Sequence, residues 1–414
     1  MEQIEKRANA STSWLDNLCQ KMMYSALRGV TKGCLRITFG DDTQCFGDPA
    51  SQPQASVEIY HPVVFRHMIT RGSIGVAEDF IEDLWATPDL TRLVQFFTVN
   101  QTALDELEQK LGVITQLSYY AKKFFRRNSV DQAKKNILAH YDLGNHLYRR
   151  FLDPNMQYSS AIYPDESADL GAAQVNKMQT ICDRLQLCET DEVVEIGTGW
   201  GGLAIYMAQQ YGCKVTTTTI SDAQHEYVEQ KLRDLNLQDK VTLLKQDYRS
   251  LEGKYDKLVS IEMIEAVGHE YLDQFFTQCS NLLKDDGLML IQAITIADQR
   301  YEHYRKSVDF IQTYIFPGGC LPSVQRMTDS MSNKSDLIVH QLSDIGLHYA
   351  KTLADWREKF LEAWPELKRE GFDNRFKRLW LYYLCYCEGG FLERAISTVH
   401  LVARKPEYRG IVSK

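Results

Sequence analysis

Several features are missing from this 414-residue chain, and each absence removes a class of protein. No run of about 18 uninterrupted apolar residues occurs, so no segment reads as a membrane-spanning helix and any contact with lipid is expected to be peripheral. The opening residues, MEQIEKRANASTSW, lack the apolar stretch and small-residue cleavage site of a secretory leader, so a cytoplasmic chain is expected. Ten cysteines are present, at 19, 34, 45, 182, 188, 213, 279, 320, 385 and 387, but none stands in a CxxC pair with zinc-like spacing. Reduced thiols are expected, with neither a metal site nor a disulfide framework. An excess of positive charge is also lacking: 47 Lys plus Arg face 55 Asp plus Glu, for a formal charge of −8. Phosphate backbones need a basic face, so nucleic acid is not the expected partner. No fixed-period repeat is found.

What is present is ordinary globular material, 44% hydrophobic and 25% charged, in a length suited to two or three domains. Residues 1–120 read as a small α+β domain. Gly33 to Phe46 (GCLRITFGDDTQCF) suggests two strands around a Gly-Asp-Asp turn, Val57 to Val64 continues with strand-like alternation, and Glu78 to Phe97 has helical spacing broken at Pro88. Residues 121–135 (AKKFFRRNSVDQAKK) hold Lys122, Lys123, Arg126, Arg127, Lys134 and Lys135 around Phe124 and Phe125. This basic linker reads either as a solvated helix face or as a contact with an anionic bilayer, where each cation gains roughly 1 kcal/mol and the two Phe insert.

From about Asn136 strands and helices alternate: strands at 192–196, 213–219, 241–246, 255–261 and 287–294, with helices at 203–211 and 221–236, the latter opening on a Ser cap. Such alternation predicts a parallel sheet covered by helices, with ligands bound beyond the carboxyl ends of its strands. The first strand runs into Glu195-Ile-Gly-Thr-Gly-Trp-Gly-Gly202, where glycines let backbone approach a ligand and the next helix points its N-terminus at it. The E-x-G-x-G-x-G spacing is not the dinucleotide fingerprint. It resembles the first motif of the class I methyltransferases, which use S-adenosylmethionine. On that resemblance Glu195 orients the turn, Gly197, Gly199 and Gly201 line the methionine end of the cofactor, Thr219, Ile220 and Gln224 follow the second strand as partners for the ribose, and Asp247 and Tyr248 follow the third near the adenine, with Asp247 an acceptor for its amino group.

Further blocks narrow the resemblance. NILAHYDLGNHLYRRFLDPNMQY (Asn136 to Tyr158), TISDAQ, QDYRSL, SIEMIEAVG (Ser260 to Gly268), YIFPGGCLPS (Tyr314 to Ser323), HYAKTLADWREKF (His348 to Phe360) and RFKRLWLYYLCYCEGGF appear in order. Together they resemble the cyclopropane-fatty-acyl-phospholipid synthases and the mycolic acid cyclopropane synthases over residues 70 to 405. GSIGVAEDFIEDLW (Gly72 to Trp85) resembles the small N-terminal lipid-binding domain of the bacterial enzymes. The implied fold is a Rossmann-like α/β class I methyltransferase with a mostly parallel seven-stranded sheet, plus that α+β domain. Residues 136–414 would form the catalytic domain, with a lipid-binding insertion at about 297–340.

The resemblance also implies a reaction. The π bond of a cis-unsaturated acyl chain attacks the methyl group of S-adenosylmethionine, leaving a cation on the chain, and loss of a proton from the new methyl closes a cyclopropane. A bound bicarbonate is the family's base. Its expected contacts here are Glu265, Tyr349, Gln292, the backbone of Ile294 and Ser160, with Tyr158 and Ser159 beside the cofactor. Two positions depart from the bacterial pattern: Ser160 stands for a Cys that acts through its backbone, and Gln292 stands for a His. Gln donates a hydrogen bond but carries no proton, although plant relatives share it. Glu262 is expected to face a different neighbour. Tyr141, Tyr158, Tyr314 and Phe316 are candidates to stabilise the passing cation. The implied partner is a phospholipid surface at the inner face of the membrane, and a homodimer would double that contact. Three other readings remain: a methyltransferase that gives methyl- or methylene-branched chains without ring closure, a binding protein that has lost catalysis, and a methyltransferase for small molecules or nucleic acid.

Overall fold

A computed structural model describes residues 13–102 and 144–410. Contacts group the chain into two units, each assembled from separate stretches, whereas the sequence suggests three consecutive segments, 1–120, 121–135 and 136–414. Among the described residues, one unit holds 13–102, 307–315 and 360–395; the other holds 144–306, 316–359 and 396–410. The basic linker at 121–135 and Tyr141 lie outside the described residues.

In the first unit, α1 (Trp14–Leu27) opens on a capping box at Ser13 and Asp16. The strands β1 (Cys34–Phe39), β2 (Asp42–Gly47), β3 (Gln54–Ile59) and the two-residue β4 (Trp85–Ala86) form a sheet in the order β2-β1-β3-β4. The strand expected to reach Val64 stops at Ile59, because Pro62 sets a helical φ of −64° and opens α2 (Val63–Ile81). The helical spacing expected from Glu78 to Phe97 resolves into the end of α2, β4, and α3 (Leu90–Val99), which Asp89 caps. The aromatic helix Asn374–Leu392 packs in this unit, with Tyr382 edge-on to Phe310 at 4.7 Å.

The second unit carries the seven-stranded sheet, in the order β10-β11-β9-β8-β5-β6-β7. Its strands are β5 (Glu192–Ile196), β6 (Lys214–Thr218), β7 (Val241–Leu244), β8 (Tyr255–Ile261), β9 (Leu283–Ile296), β10 (Ile338–Asp344) and β11 (Ile396–Arg404). From β7 across to β9 the pairings are parallel; β11 and β10 add an antiparallel edge. Period-two side-chain alternation builds a core on each face. Val194, Leu258, Ile291 and Leu401 join one apolar cluster, while their neighbours Val193, Val259, Leu290 and Val402 join the other. Each such fully buried side chain contributes roughly 2 kcal/mol.

Helices α5 (Leu170–Leu185), α6 (Gly202–Tyr211), α7 (Asp222–Asp234) and α8 (Leu272–Leu282) pack on the sheet, and this unit also holds α4 (Asn145–Phe151) and residues 346–359 of the long helix Gly346–Arg369. The cap expected at Ser221 is formed, its hydroxyl accepting from Gln224 N at 3.3 Å. None of the ten cysteines is joined in a disulfide, and among the described residues no helix is long and apolar enough to cross a membrane.

Candidate active site

The site collects beyond the carboxyl ends of β5, β6, β7 and β8, where a parallel sheet places its ligands. The turn after β5 takes positive φ at Gly197 (100°), Gly199 (53°) and Gly201 (80°), which glycine adopts without steric cost. Gly197 N and Thr198 N both donate to Thr218 O, at 3.2 and 3.0 Å, tying the turn to the end of β6. A Cβ on Gly202 would sit 2.4 Å from Asn155 O, so the start of α6 is pressed against backbone; one on Gly199 would meet nothing within 4 Å. The space above the turn is therefore open to a ligand, with the N-terminus of α6 facing it. These residues fit S-adenosylmethionine.

Beneath the turn, Glu195 is buried and its Oε2 accepts from Thr217 Oγ1 at 2.5 Å, while the Thr217 and Thr198 hydroxyls lie 2.7 Å apart. Burial pushes the Glu195 carboxyl up to about 8, against the Thr217 hydrogen bond and the charge of Lys177. Thr219 and Gln224 are brought together: Thr219 Oγ1 donates to Gln224 Oε1 at 2.8 Å, with half-buried Ile220 between them. Asp247 receives Arg249 through Nε (2.8 Å) and Nη2 (2.7 Å). Burial raises its carboxyl, but the Arg249 hydrogen bonds and charge outweigh that and hold it below the ordinary value. Tyr248 packs edge-on against Phe275.

Glu262, at the end of β8, lies at the centre of the second cluster. Its Oε1 accepts from Ser160 N at 2.8 Å and from Gln292 Nε2 at 2.7 Å; its Oε2 accepts from Tyr349 OH at 2.8 Å. Its own N–H donates to Gln292 O at 2.8 Å. The backbone there is left-handed, at φ 47°, in a residue that is not glycine; such a conformation costs on the order of 1–3 kcal/mol and persists only where its surroundings enforce it. Gln292 is oriented from behind: His400, its cross-strand partner on β11, places Nε2 2.8 Å from Gln292 Oε1. A carboxylate needs a donor, so the amide NH2 faces Glu262 and His400 Nε2–H donates to the amide oxygen. Burial first, then the charges of Arg184 and Lys177, hold His400 neutral, well below its ordinary range.

Glu265 lies one short turn on. Its Oε1 accepts from Ile294 N at 2.5 Å, and its buried Oε2 has no hydrogen-bond partner among the described residues. Burial, then the charge of Glu262, push its carboxyl up to about 8. Lys177 supplies a fully buried cation nearby, donating to Gln157 Oε1 (2.7 Å) and Ser159 Oγ (2.8 Å). Desolvation brings it down to about 8, opposed by the charges of Glu262, Asp153 and Glu195. An aromatic layer adjoins the cluster. Tyr158 stacks on Trp356 at 5.2 Å and lies 6.4 Å from Phe316; Trp356 meets Tyr349, the donor to Glu262, at 6.0 Å.

The structure thus gathers Ser160, Gln292 and Tyr349, but around Glu262, which was expected to look elsewhere. The donors anticipated for a bicarbonate are engaged: three by Glu262 and the fourth, Ile294 N, by Glu265. A bicarbonate finds no free donor in this set, so the residues present do not fit it. Tyr314 is also relocated: it belongs to the first unit, is 37% exposed, and its hydroxyl binds Glu78. Lys177 and His400 escaped the sequence reading. Lys177 did leave a signal, since it shares the apolar stripe of α5 with Ala173 and Ile181, four residues to either side.

A seven-stranded, mainly parallel sheet with a glycine turn at the end of its first parallel strand defines a class I S-adenosylmethionine-dependent methyltransferase. The sequence pattern of the mycolic acid cyclopropane synthetase family matches residues 128–401, and the chain belongs to that family. It is 35% identical to a cyclopropane-fatty-acyl-phospholipid synthase of Escherichia coli over 86% of this chain and 90% of that one. It is 36% identical to a tuberculostearic acid methyltransferase of Mycobacterium tuberculosis, over 86% and 84% respectively. Among solved structures, a cyclopropane synthase of Mycobacterium tuberculosis superposes with a TM-score of 0.62 at 26% identity, covering 68% of this chain and 99% of that one. A mycolic acid cyclopropane synthase complexed with SAH and CTAB gives 0.61 at 28%, covering 66% and 98%. The chain is accordingly an S-adenosylmethionine-dependent C-methyltransferase of unsaturated lipid.

Proposed function

We propose that the chain alkylates the cis double bond of a phospholipid acyl chain and closes it to a cyclopropane. The observation that carries this reading is a half-buried pair of carboxyl groups, Glu262 and Glu265, bordered by stacked aromatic rings, beside the glycine turn. When bound, S-adenosylmethionine supplies the electrophilic methyl group. An alkene is a weak nucleophile, and the cation it leaves is quenched by water, so the site must be dry. Tyr158, Trp356 and Phe316 exclude water and present π faces to the positive charge. Glu195, Thr217 and Thr198 brace the turn, and Asp247, fixed by Arg249, offers an acceptor to the adenine amino group. The proton must then go to a base within the pocket.

The substrate in this reading is reached at a bilayer surface from the cytoplasmic side, with two copies giving two contacts. On α1, Trp14, Leu15 and Leu18 are exposed, Trp14 by 72%, an apolar face suited to an interfacial contact. The similarity to a tuberculostearic acid methyltransferase favours a second reading, a methyl-branched product. Incubation with cis-monounsaturated phospholipid vesicles and S-adenosylmethionine, followed by mass spectrometry of the fatty acyl esters before and after mild hydrogenation, separates them. A one-carbon addition that survives hydrogenation as a ring is expected; a branched or unmodified chain would overturn the proposal.

A further inference from the structure

The structure assigns the base of ring closure to Glu262, a residue of the chain itself, in place of a diffusible anion. This rests on the cyclopropane reading above. Glu262 presents a planar anion with two oxygens, the same recognition chemistry as bicarbonate, and it sits on the donors a bicarbonate would need. Those donors come from three separate segments: Ser160 N ahead of α5, Gln292 on β9 and Tyr349 on the helix Gly346–Arg369. Gln292 is suited to this task as a His⁺ is not. Held by His400, its amide donates to the carboxylate without offering a proton that would neutralise it. The left-handed backbone at Glu262 turns the side chain back into this cradle, the kind of enforced conformation that marks a functional position.

Charge is divided between the two acids. Glu265 has one donor and a bare Oε2, and stays neutral near pH 7. Burial pushes the Glu262 carboxyl up from its ordinary value, but its three donors, Ser160 N, Gln292 and Tyr349, and the charge of Lys177 act the other way and favour the carboxylate, so the negative charge is assigned to Glu262 rather than to Glu265. In the step itself, Glu262 accepts a proton from the methyl group newly attached to the acyl chain. The electron pair of that C–H bond becomes the third C–C bond of the ring, filling the cationic carbon. Glu262 ends as the carboxylic acid and returns the proton to solvent when product leaves. Atoms and charge balance with no further reactant.

The wild-type protein is assayed on phospholipid vesicles in buffer stripped of carbon dioxide and bicarbonate, and again with bicarbonate restored. The same is done with Glu262→Gly, which relaxes the left-handed backbone and empties the cradle. Product structure is read in every case, and S-adenosylmethionine affinity and circular dichroism check that the variant is folded. We expect unchanged wild-type turnover without bicarbonate. Glu262→Gly should lose about 100-fold or more, the usual scale for a general base, and regain at least about 10-fold as bicarbonate saturates the vacated cradle. A wild-type enzyme that makes cyclopropane only with bicarbonate, or a Glu262→Gly enzyme at full rate without it, overturns the assignment while leaving the proposed function standing. A wild-type enzyme that makes no cyclopropane under any condition overturns the proposed function first.

Discussion

Replacing Glu265 by Gln should flatten the pH dependence of stability while abolishing or strongly reducing turnover. The Glu265 carboxyl lies at about 8 in the folded chain against an ordinary 4.5, burial being the main cause and the charge of Glu262 the second. Below about pH 4.5 both states are protonated and the group contributes no slope. Between there and about pH 8 the unfolded chain ionises and the folded chain holds its proton, so the folded state loses ground as pH rises, by roughly 1 kcal/mol per pH unit. Glu195 is also raised to about 8, mainly by burial, and adds a second slope of the same sign. Gln at 265 removes the contribution of that one acid, roughly 1 kcal/mol per unit, and leaves that of Glu195 in place. The amide keeps an acceptor for Ile294 N, so the geometry survives. Urea unfolding at several pH values between 5 and 8 measures the slopes. Parallel curves for wild type and Glu265→Gln would refute the claim that this acid is buried and neutral.

Tyr349→Phe removes the hydroxyl that donates to Glu262 Oε2; a hydrogen bond to a charged group is worth about 1.5–3 kcal/mol, so the acid limb of the kcat profile should move up by about one to two pH units, and an unmoved limb would break the link between Glu262 and turnover. Gly202→Ala places a Cβ 2.4 Å from Asn155 O, and should cost about 1–3 kcal/mol of stability and weaken S-adenosylmethionine binding in calorimetry; undiminished affinity would show that the turn does not hold the cofactor. Asp247→Asn releases the bidentate Arg249 pair and should lower cofactor affinity several-fold with little change in kcat. An effect on kcat alone would place Asp247 elsewhere in the mechanism.

The strand and turn pattern of the catalytic unit could be read because apolar strands, glycine turns and the Ser221 cap are local signals, each answering to backbone geometry within a few residues. The antiparallel edge was harder: β10 is largely exposed, with Ile338, Val339 and Leu342 facing out, so it lacks the apolar run that marks its parallel neighbours. Residues 307–315 and 360–395 group with the first unit through contacts between distant segments, which no local pattern encodes. At the site, the members came through but the centre did not. Ser160, Gln292 and Tyr349 were found as separate contacts of an absent anion. Glu262 was passed over because strand periodicity alone does not anticipate a left-handed residue at the strand end, and it is that one backbone conformation which turns its carboxylate toward all three. His400 left no chemical signal, since its role is to orient Gln292 across a strand pair.

The fate of the transferred methyl group bears on all of this at once. With S-adenosylmethionine carrying a fully deuterated methyl and a cis-monounsaturated phospholipid as acceptor, nuclear magnetic resonance and mass spectrometry of the product count the deuterium retained. The account predicts a cyclopropane bearing a CD2 group, one deuterium having gone to the base in the pocket. A product that keeps all three deuteriums on an open, branched chain would contradict it.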